Sequence, residues 1–495
     1  MVDKGTVYLV GAGPGDQGLI SAKGLAYLEQ AEVVLYDRLV NPLLLEKTKF
    51  DAELVYAGKL PQRHFLRQEA IHDEWVRYAQ AGKSVVRLKG GDPGVFGRVG
   101  EEAAFLEEYN IPYEIVPGIT AGIAAPAYAG IPVTHRLYGT SFAVAAGHRK
   151  GKDELELDWE ALSKLDTIAF YMGCKNLPTI VENLIQNGRS ESEPVLVIQW
   201  GTTTKQKTVK AELGTIVATV EHEKLSNPAI TLVGEIASQY TGKSWFENKP
   251  LFGSSPLLLN DELSENVAKQ LEAEGAEPFL YPRWHKTMLP LPQIEFDHYG
   301  EVAFQDAEDV TVFFKWLEEQ EIDIRQLQAV FTAKTERAKA ALHNYGIRPQ
   351  AQSNAEAKLL LANDARFCEE GYAYQQTMLK TKVNSSKIVL NRLLEEEKLT
   401  EIIVPSVAAC ELLLELYSDY PALRKLNLLA LSPDVKQRLI SLHLPFSESV
   451  NTNAWPMTNW LNQWFEGQVD AVADDFVHRS RQSSGTGEQA VSAVY

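Results

Sequence analysis

Short apolar runs of four or five residues recur along the first half of the chain, each closing on a small or polar turn before a stretch with helical spacing. Thr6 to Val10, Val33 to Tyr36, Glu53 to Tyr56, Ser84 to Leu88 and Tyr113 to Val116 read as strands. Between them lie helix signals: Ser21 as N-cap before AKGLAYLEQA, apolar positions at Ile71, Trp75 and Tyr78 after Gln68, and a run from Glu101 to Glu108. Strands alternating with helices predict an α/β fold with a parallel sheet. Ligand loops are then expected at the carboxyl ends of the strands. The same unit returns later. Pro256 to Leu259, residues 302–304, 329–333, 401–406 and 426–432 read as strands, with helices over Glu262 to Glu274, Glu336 to His343, Ala408 to Tyr417 and Val435 to Leu442.

Size and composition narrow the class. A chain of 495 residues and 55.1 kDa calls for two or three domains. Hydrophobic content of 45% and charged content of 23% are those of a soluble globular protein. No apolar run reaches the ~20 residues of a membrane helix, and the start, MVDKGTVYLVGAG, lacks a signal-peptide cleavage region. Cys174, Cys368 and Cys410 are scattered without a CxxC pair, which argues against a disulfide framework and a metal site and suits the cytoplasm. The net charge of −18 disfavours nucleic acid and anionic membranes as partners. About −5 falls on residues 1–245 and −13 on the rest. An anionic ligand in the first half therefore needs a local basic cluster.

Two glycine-rich loops carry the candidate chemistry. Gly11-Ala12-Gly13-Pro14-Gly15-Asp16 follows the first strand, and Asp37 ends the second, as in a dinucleotide-binding unit. The fingerprint is broken, because its third glycine falls at Asp16 and Pro14 removes a backbone N–H that would cradle a pyrophosphate. In SVVRLKGGDPGVFGR, Gly90-Gly91-Asp92-Pro93 stops the strand. A tight turn is one reading; a pocket wall is the other. The five glycines from Gly90 to Gly100 exceed what a turn requires.

GAGPGD, VVLYDRLV, AGK, VVRLKGGDPGVFGR, VPGITAGIAAPAYAGIPVTHR, YMG and Gly201-Thr202 occur in this order over some 240 residues. As an ordered set they resemble the uroporphyrinogen-III C-methyltransferases of the S-adenosylmethionine-dependent tetrapyrrole methylase family. The resemblance implies two α/β subdomains with S-adenosyl-L-methionine in the cleft between them. It also implies a homodimer and bis-methylation of uroporphyrinogen III to precorrin-2, with S-adenosylhomocysteine as by-product, on the way to siroheme or cobalamin. Pro14, Gly90, Gly91, Asp92, Val95, Thr120, Ala121, Met172, Gly201 and Ala229 match cofactor positions, and Asp37 and Lys59 match proton acceptor and donor. For the substrate carboxylates the candidates are Lys59, Arg63, His64, Arg98, His135, Arg136, His148 and Arg149. The chain departs from the family pattern at Lys59-Leu60, Ile71-His72 and Gly94, which touches substrate contacts and not the cofactor site.

The resulting layout is a methylase over 1–244, a linker over 245–255, a second domain over 256–469 and a disordered tail over 470–495. The second domain is similar in position and order to uroporphyrinogen-III synthase, a two-lobed parallel α/β protein acting on hydroxymethylbilane. The match is thin: Asn260-Asp261, Phe304-Gln305-Asp306 and Val404-Pro405-Ser406 replace the usual turns, and no synthase residue is assigned. An active synthase is the favoured reading, against a degenerate scaffold or an interaction domain. For the first half the other readings are a methylase of a later corrin intermediate, a non-catalytic cofactor-binding protein and a Rossmann oxidoreductase.

Overall fold

The computed structural model describes residues 4–57, 68–147, 157–261, 264–292, 294, 296–351 and 353–444. The chain divides into two compact units at Pro282/Arg283 and again at Asn384/Ser385, so that the first unit is built from two separate stretches.

In the first unit, β1 (Val7–Gly11), β2 (Val33–Tyr36), β3 (Glu53–Tyr56), β4 (Val85–Lys89) and β5 (Tyr113–Val116) form an all-parallel sheet in the order β3-β2-β4-β1-β5. Alternation along the strands sorts their side chains onto two covered faces. Val7, Leu9, Val33, Leu35 and Val85 pack with Trp75 and Leu106 from helices Gln68–Gln80 and Val99–Glu108. Val10, Val34, Tyr36, Val86 and Leu88 face the other way, with Leu28 from helix Ala22–Gln30. That helix is capped as its sequence predicts, Gly24 N–H donating to Ser21 Oγ at 3.1 Å.

A second sheet follows: β6 (Phe142–Ala146), β7 (Thr167–Tyr171), β8 (Pro194–Gln199), β9 (Lys207–Glu212) and β10 (Ala229–Val233), in the order β6-β7-β10-β8-β9. It is mixed. Only β6 and β7 run parallel, while the β7–β10, β10–β8 and β8–β9 pairs are antiparallel. Helix Ala121–Tyr128 leads from β5 onto one face of this sheet, where Ala125 packs with Ile198 and Ile230.

Residues 245–255, expected as a linker, form turns in which Phe246 and Leu251 are buried. Beyond them come β11 (Leu257–Leu259), helix Ser264–Ala273 and β12 (Phe279–Tyr281). The second unit then intervenes. It holds an antiparallel pair, β13 (Trp284–Met288) with β18 (Met378–Lys382), and a parallel sheet ordered β15-β14-β16-β17. Those strands are β14 (Glu301–Phe304), β15 (Val330–Ala333), β16 (Lys358–Ala362) and β17 (Ala373–Gln376). Phe304, Phe313, Trp316 and Leu361 fill its core. The turn Phe304-Gln305-Asp306 is a helix start: Asp306 and Asp309 form a capping box on Ala307–Glu319.

Back in the first unit, helix Asn384–Glu395 precedes β19 (Glu401–Val404), helix Ala409–Asp419, β20 (Asn427–Ala430) and helix Pro433–Ser441. Here β12-β11-β19-β20 make a parallel lobe. Leu257, Leu259, Ile402 and Val404 of this lobe belong to the same apolar cluster as Val10, Val34 and Leu88 of the first sheet. The lobe and the first sheet share one core.

Candidate active site

Three loops at the carboxyl ends of β1, β4 and β5 meet through glycines. A Cβ on Gly118 would stand 2.3 Å from the Gly91 carbonyl oxygen and 2.8 Å from Gly11 Cα. Gly13 and Gly91, at φ +76° and +70°, exchange backbone hydrogen bonds of 3.2 and 2.7 Å. Only residues without Cβ allow this approach and this conformation. Asp92 ties the loops further, its two carboxylate oxygens accepting from Gly94 N–H at 2.7 Å and Gly118 N–H at 2.8 Å.

The same bonds explain the broken dinucleotide fingerprint. Ala12 N–H donates to Lys89 O at 2.8 Å, Gly13 N–H to Gly91 O, and Asp16 N–H to Thr202 Oγ1 at 3.2 Å; Pro14 has no N–H. A loop with these donors engaged internally does not cradle a pyrophosphate.

Above the glycine floor lies a cleft of about 700 Å³, a volume suited to a nucleoside-sized ligand. Pro14, Gly90, Gly91, Asp92, Val95, Thr120, Ala121, Met172, Gly201 and Ala229 all line it, as do Asp37 and Arg98. Ala125, Ile198 and Ile230 add an apolar wall. Tyr171 fixes the approach of helix Ala121–Tyr128: its hydroxyl accepts from Gly122 N–H at 2.5 Å and lies 2.6 Å from Thr120 Oγ1. Burial pushes the Tyr171 phenol up, so it stays protonated.

Backbone strain gathers here. Among the described residues, Asn110, Lys224, Glu321, Glu397 and His443 have positive φ just past helix ends, an ordinary capping position. Phe96, Arg98, Met172 and Trp200 have positive φ and line the cleft, and Thr202 adjoins it. Left-handed non-glycine residues of this kind collect at functional sites.

Charge is concentrated under one end of the cleft. Arg87 Nη2 donates to Asp37 Oδ1 at 2.5 Å, Arg87 Nε stands 3.5 Å from Glu102 Oε1, and Lys89 Nζ donates to Glu102 Oε1 at 2.6 Å. Arg87, Lys89 and Glu102 are buried and Asp37 is the partly exposed end. The quartet is electrically balanced, which is the condition for holding such groups inside. Burial, with repulsion from Arg87 added, holds the Lys89 ammonium below its ordinary value. Asp37 therefore presents a carboxylate to the cleft, anchored from beneath by a guanidinium.

The remaining expectations fall elsewhere. Lys59, Arg63, His64, His148 and Arg149 lie outside the described residues. His135 and Arg136 are not among the residues lining the cleft: His135 bridges to Gly139 and packs 4.8 Å from the Tyr138 ring. Arg38, Arg87, Lys89, Glu102, Tyr171, Trp200, Lys205, Glu277 and Lys398 line the cleft without having been singled out. For Arg87 and Lys89 a signal existed, since two charges on one face of an otherwise apolar central strand need buried partners. Among the described residues no cluster of His, Cys, Asp and Glu could hold a metal ion, and no helix is long and apolar enough to cross a membrane.

The engaged loop donors, the glycine floor and the apolar wall fit a phosphate-free sulfonium nucleoside. Comparison with known proteins agrees. Residues 6–217 match the family of tetrapyrrole (corrin/porphyrin) methylases. A uroporphyrinogen-III C-methyltransferase of Bacillus subtilis is 46% identical over 370 residues, covering 73% of this chain and 76% of that protein. One from Priestia megaterium is 55% identical over 235 residues, 47% of this chain and 99% of that protein. Among solved structures, the native uroporphyrin III C-methyl transferase of Thermus thermophilus is 38% identical and covers 47% of this chain and 93% of its own, with a TM-score of 0.41. The chain belongs to the tetrapyrrole (corrin/porphyrin) methylases and is an S-adenosylmethionine-dependent C-methyltransferase.

Proposed function

We propose that the chain methylates uroporphyrinogen III at C2 and C7 in turn, giving precorrin-2 and two S-adenosylhomocysteines. The observation that carries this reading is the convergence of the ten cofactor positions and Asp37 on one cleft. S-adenosylmethionine, when bound, supplies an electrophilic methyl group. The reacting pyrrole carbon is already electron-rich, so the chain's task is alignment, worth many powers of ten when reacting atoms are held in line. In this reading the glycine floor and the Thr120–Tyr171 contact set the cofactor's position. Asp37, anchored by Arg87, takes up the proton that the macrocycle gives up elsewhere as its double bonds rearrange, the methylated carbon itself carrying none. Lys59 is the proposed donor, by family resemblance. Arg38, Arg98, Lys205 and Lys398 surround the cleft with positive charge suited to a polycarboxylate.

The reading extends to the second half, where a uroporphyrinogen-III synthase acting on hydroxymethylbilane is proposed. Two parallel four-stranded sheets, one in each unit, support it. The 370-residue match to a methyltransferase runs well beyond the methylase segment, so at least part of the second half has a counterpart in that relative. A scaffold role is the second reading, favoured by the apolar core that the lobe shares with the first sheet. A homodimer in the cytoplasm completes the proposal; sedimentation velocity tests the dimer.

Anaerobic incubation with uroporphyrinogen III and methyl-labelled S-adenosylmethionine tests the methyltransferase: label is expected in the tetrapyrrole. Hydroxymethylbilane alone tests the synthase. Cyclisation to uroporphyrinogen III supports it; uroporphyrinogen I, the spontaneous product, leaves the scaffold reading.

A further inference from the structure

We propose that the C-terminal lobe is one wall of the methyl-transfer cleft, and that Lys398 on it binds a carboxylate of the bound ligand. The proposal rests on the methyltransferase reading above.

The lobe grips the cleft from both sides. Arg392 donates to the carbonyl oxygens of Arg38 and Val40, the latter at 2.8 Å, in the loop after β2. Glu277 accepts from Asn41 Nδ2 at 2.6 Å in the same loop. Opposite, in the loop after β8, Lys205 Nζ donates to the carbonyl oxygens of Glu396 and Glu397 at 3.2 and 2.9 Å. These bonds clamp the turn at Glu396-Glu397, where Glu397 adopts φ +47° and the chain delivers Lys398 to the cleft lining.

The cations at this corner outnumber the carboxylates that pair with them directly, Glu396 alone being within ion-pair distance of Lys398 and Arg392. Glu396 is shared between Lys398 at 2.7 Å and Arg392 at 2.8 Å, and Lys205 stands beside them, its ammonium held below its ordinary value by burial. Glu277 and Glu397 are the other carboxyls facing the group, and burial pushes Glu277 towards its neutral form. The Lys398 ammonium stands 5.7 Å from the Trp200 ring centre and is 19% exposed, so stem and head are positioned without being sealed off. An ammonium has three donors, and Glu396 takes one. A ligand carboxylate is the group that suits the rest. Two ligands of this site carry one: the tetrapyrrole on its side chains and the methyl donor on its amino-acid tail.

The test is Lys398→Ala in the full chain, beside Lys398→Arg and, as a control on the same lobe, the exposed Lys425→Ala. KM for uroporphyrinogen III and Kd for S-adenosylhomocysteine are measured at two ionic strengths. One of the two constants should rise by roughly tenfold in Lys398→Ala, the loss expected for a charge-assisted hydrogen bond. The Arg variant should recover most of it and the control should not move. A raised KM assigns the carboxylate to the tetrapyrrole; a raised Kd assigns it to the donor. If neither constant changes, the proposal is overturned. Should Lys398→Ala melt lower, a purely structural role predicts that kcat falls and that the salt dependence of both constants stays as in the wild type, which also overturns it. A wild-type chain that binds S-adenosylhomocysteine without methylating uroporphyrinogen III overturns the proposed function instead, and the Kd arm then decides on Lys398.

Discussion

Asp37 and Arg87 are joined at 2.5 Å, yet the Arg87 side chain is 7% exposed and that of Asp37 is 30% exposed. The pair thus has a buried end and an open end, and the two should fail differently. Asp37→Asn keeps the shape and removes the proposed base. Turnover should fall by about 10²-fold, the lower range for losing a general base, with S-adenosylhomocysteine affinity unchanged. Arg87→Met leaves Asp37 without its cation and Glu102 with Lys89 alone. It should cost about 3–5 kcal/mol of stability in denaturant melts as well as activity. Equal stability loss in both variants would mean that Asp37 is only a structural partner.

The glycine floor makes a sharper prediction by position. A methyl group on Gly118 meets backbone at 2.3 Å, whereas one on Gly100 meets nothing within 4 Å. Gly118→Ala should weaken S-adenosylhomocysteine binding by about tenfold or more, as overpacking costs roughly 1–3 kcal/mol. Gly100→Ala, inside helix Val99–Glu108, should leave binding alone and stabilise by roughly 0.5–1 kcal/mol. Calorimetric titration of both variants checks this.

In the second unit, burial raises the Asp309 carboxyl from 3.8 to about 6. It accepts from Thr377 Oγ1 at 2.5 Å and from Asp306 N–H at 2.8 Å. Because the folded form holds its proton more tightly than the unfolded form, this contribution is fully present below pH 3.8 and is lost as pH rises through about 6. Between those limits the wild type should lose up to about 3 kcal/mol relative to Asp309→Asn. Urea melts of both proteins across that range measure the difference; parallel curves would refute the assignment.

Arg392 joins the lobe to the loop after β2. Its removal leaves two carbonyl oxygens without their donor and Glu396 with Lys398 alone. Arg392→Ala should cost about 3 kcal/mol, and Arg392→Lys less, since an ammonium reaches one carbonyl but not both. A single cooperative melting transition in the wild type, shifted down in the variant, is the expected record. Independent transitions for lobe and methylase would contradict the shared core.

Much of this fold was legible locally. β2, β3 and β5 start and stop at the residues their runs indicate, because each is a short segment bounded by turns, β2 buried throughout and β3 and β5 at the sheet edges. The second sheet was not. Its antiparallel pairings depend on strand neighbours far apart in sequence, and only the Tyr171-Met172-Gly173 and Gly201-Thr202 motifs marked it. At the site, loop residues such as Gly91 and Thr120 were readable because motif and position coincide. Glu102 was not, since it looks like the first turn of a surface helix until Arg87 and Lys89 are brought beneath it. Lys398 and Glu277 reach the cleft from the other half of the chain, a placement no local pattern encodes.

The central claim is tested most directly by counting S-adenosylhomocysteine released per uroporphyrinogen III consumed, anaerobically, with the full chain. A ratio of two, with release strictly dependent on the tetrapyrrole and lost in Asp37→Asn, is the predicted result. No release on adding uroporphyrinogen III, from a chain that still binds S-adenosylhomocysteine, would contradict it.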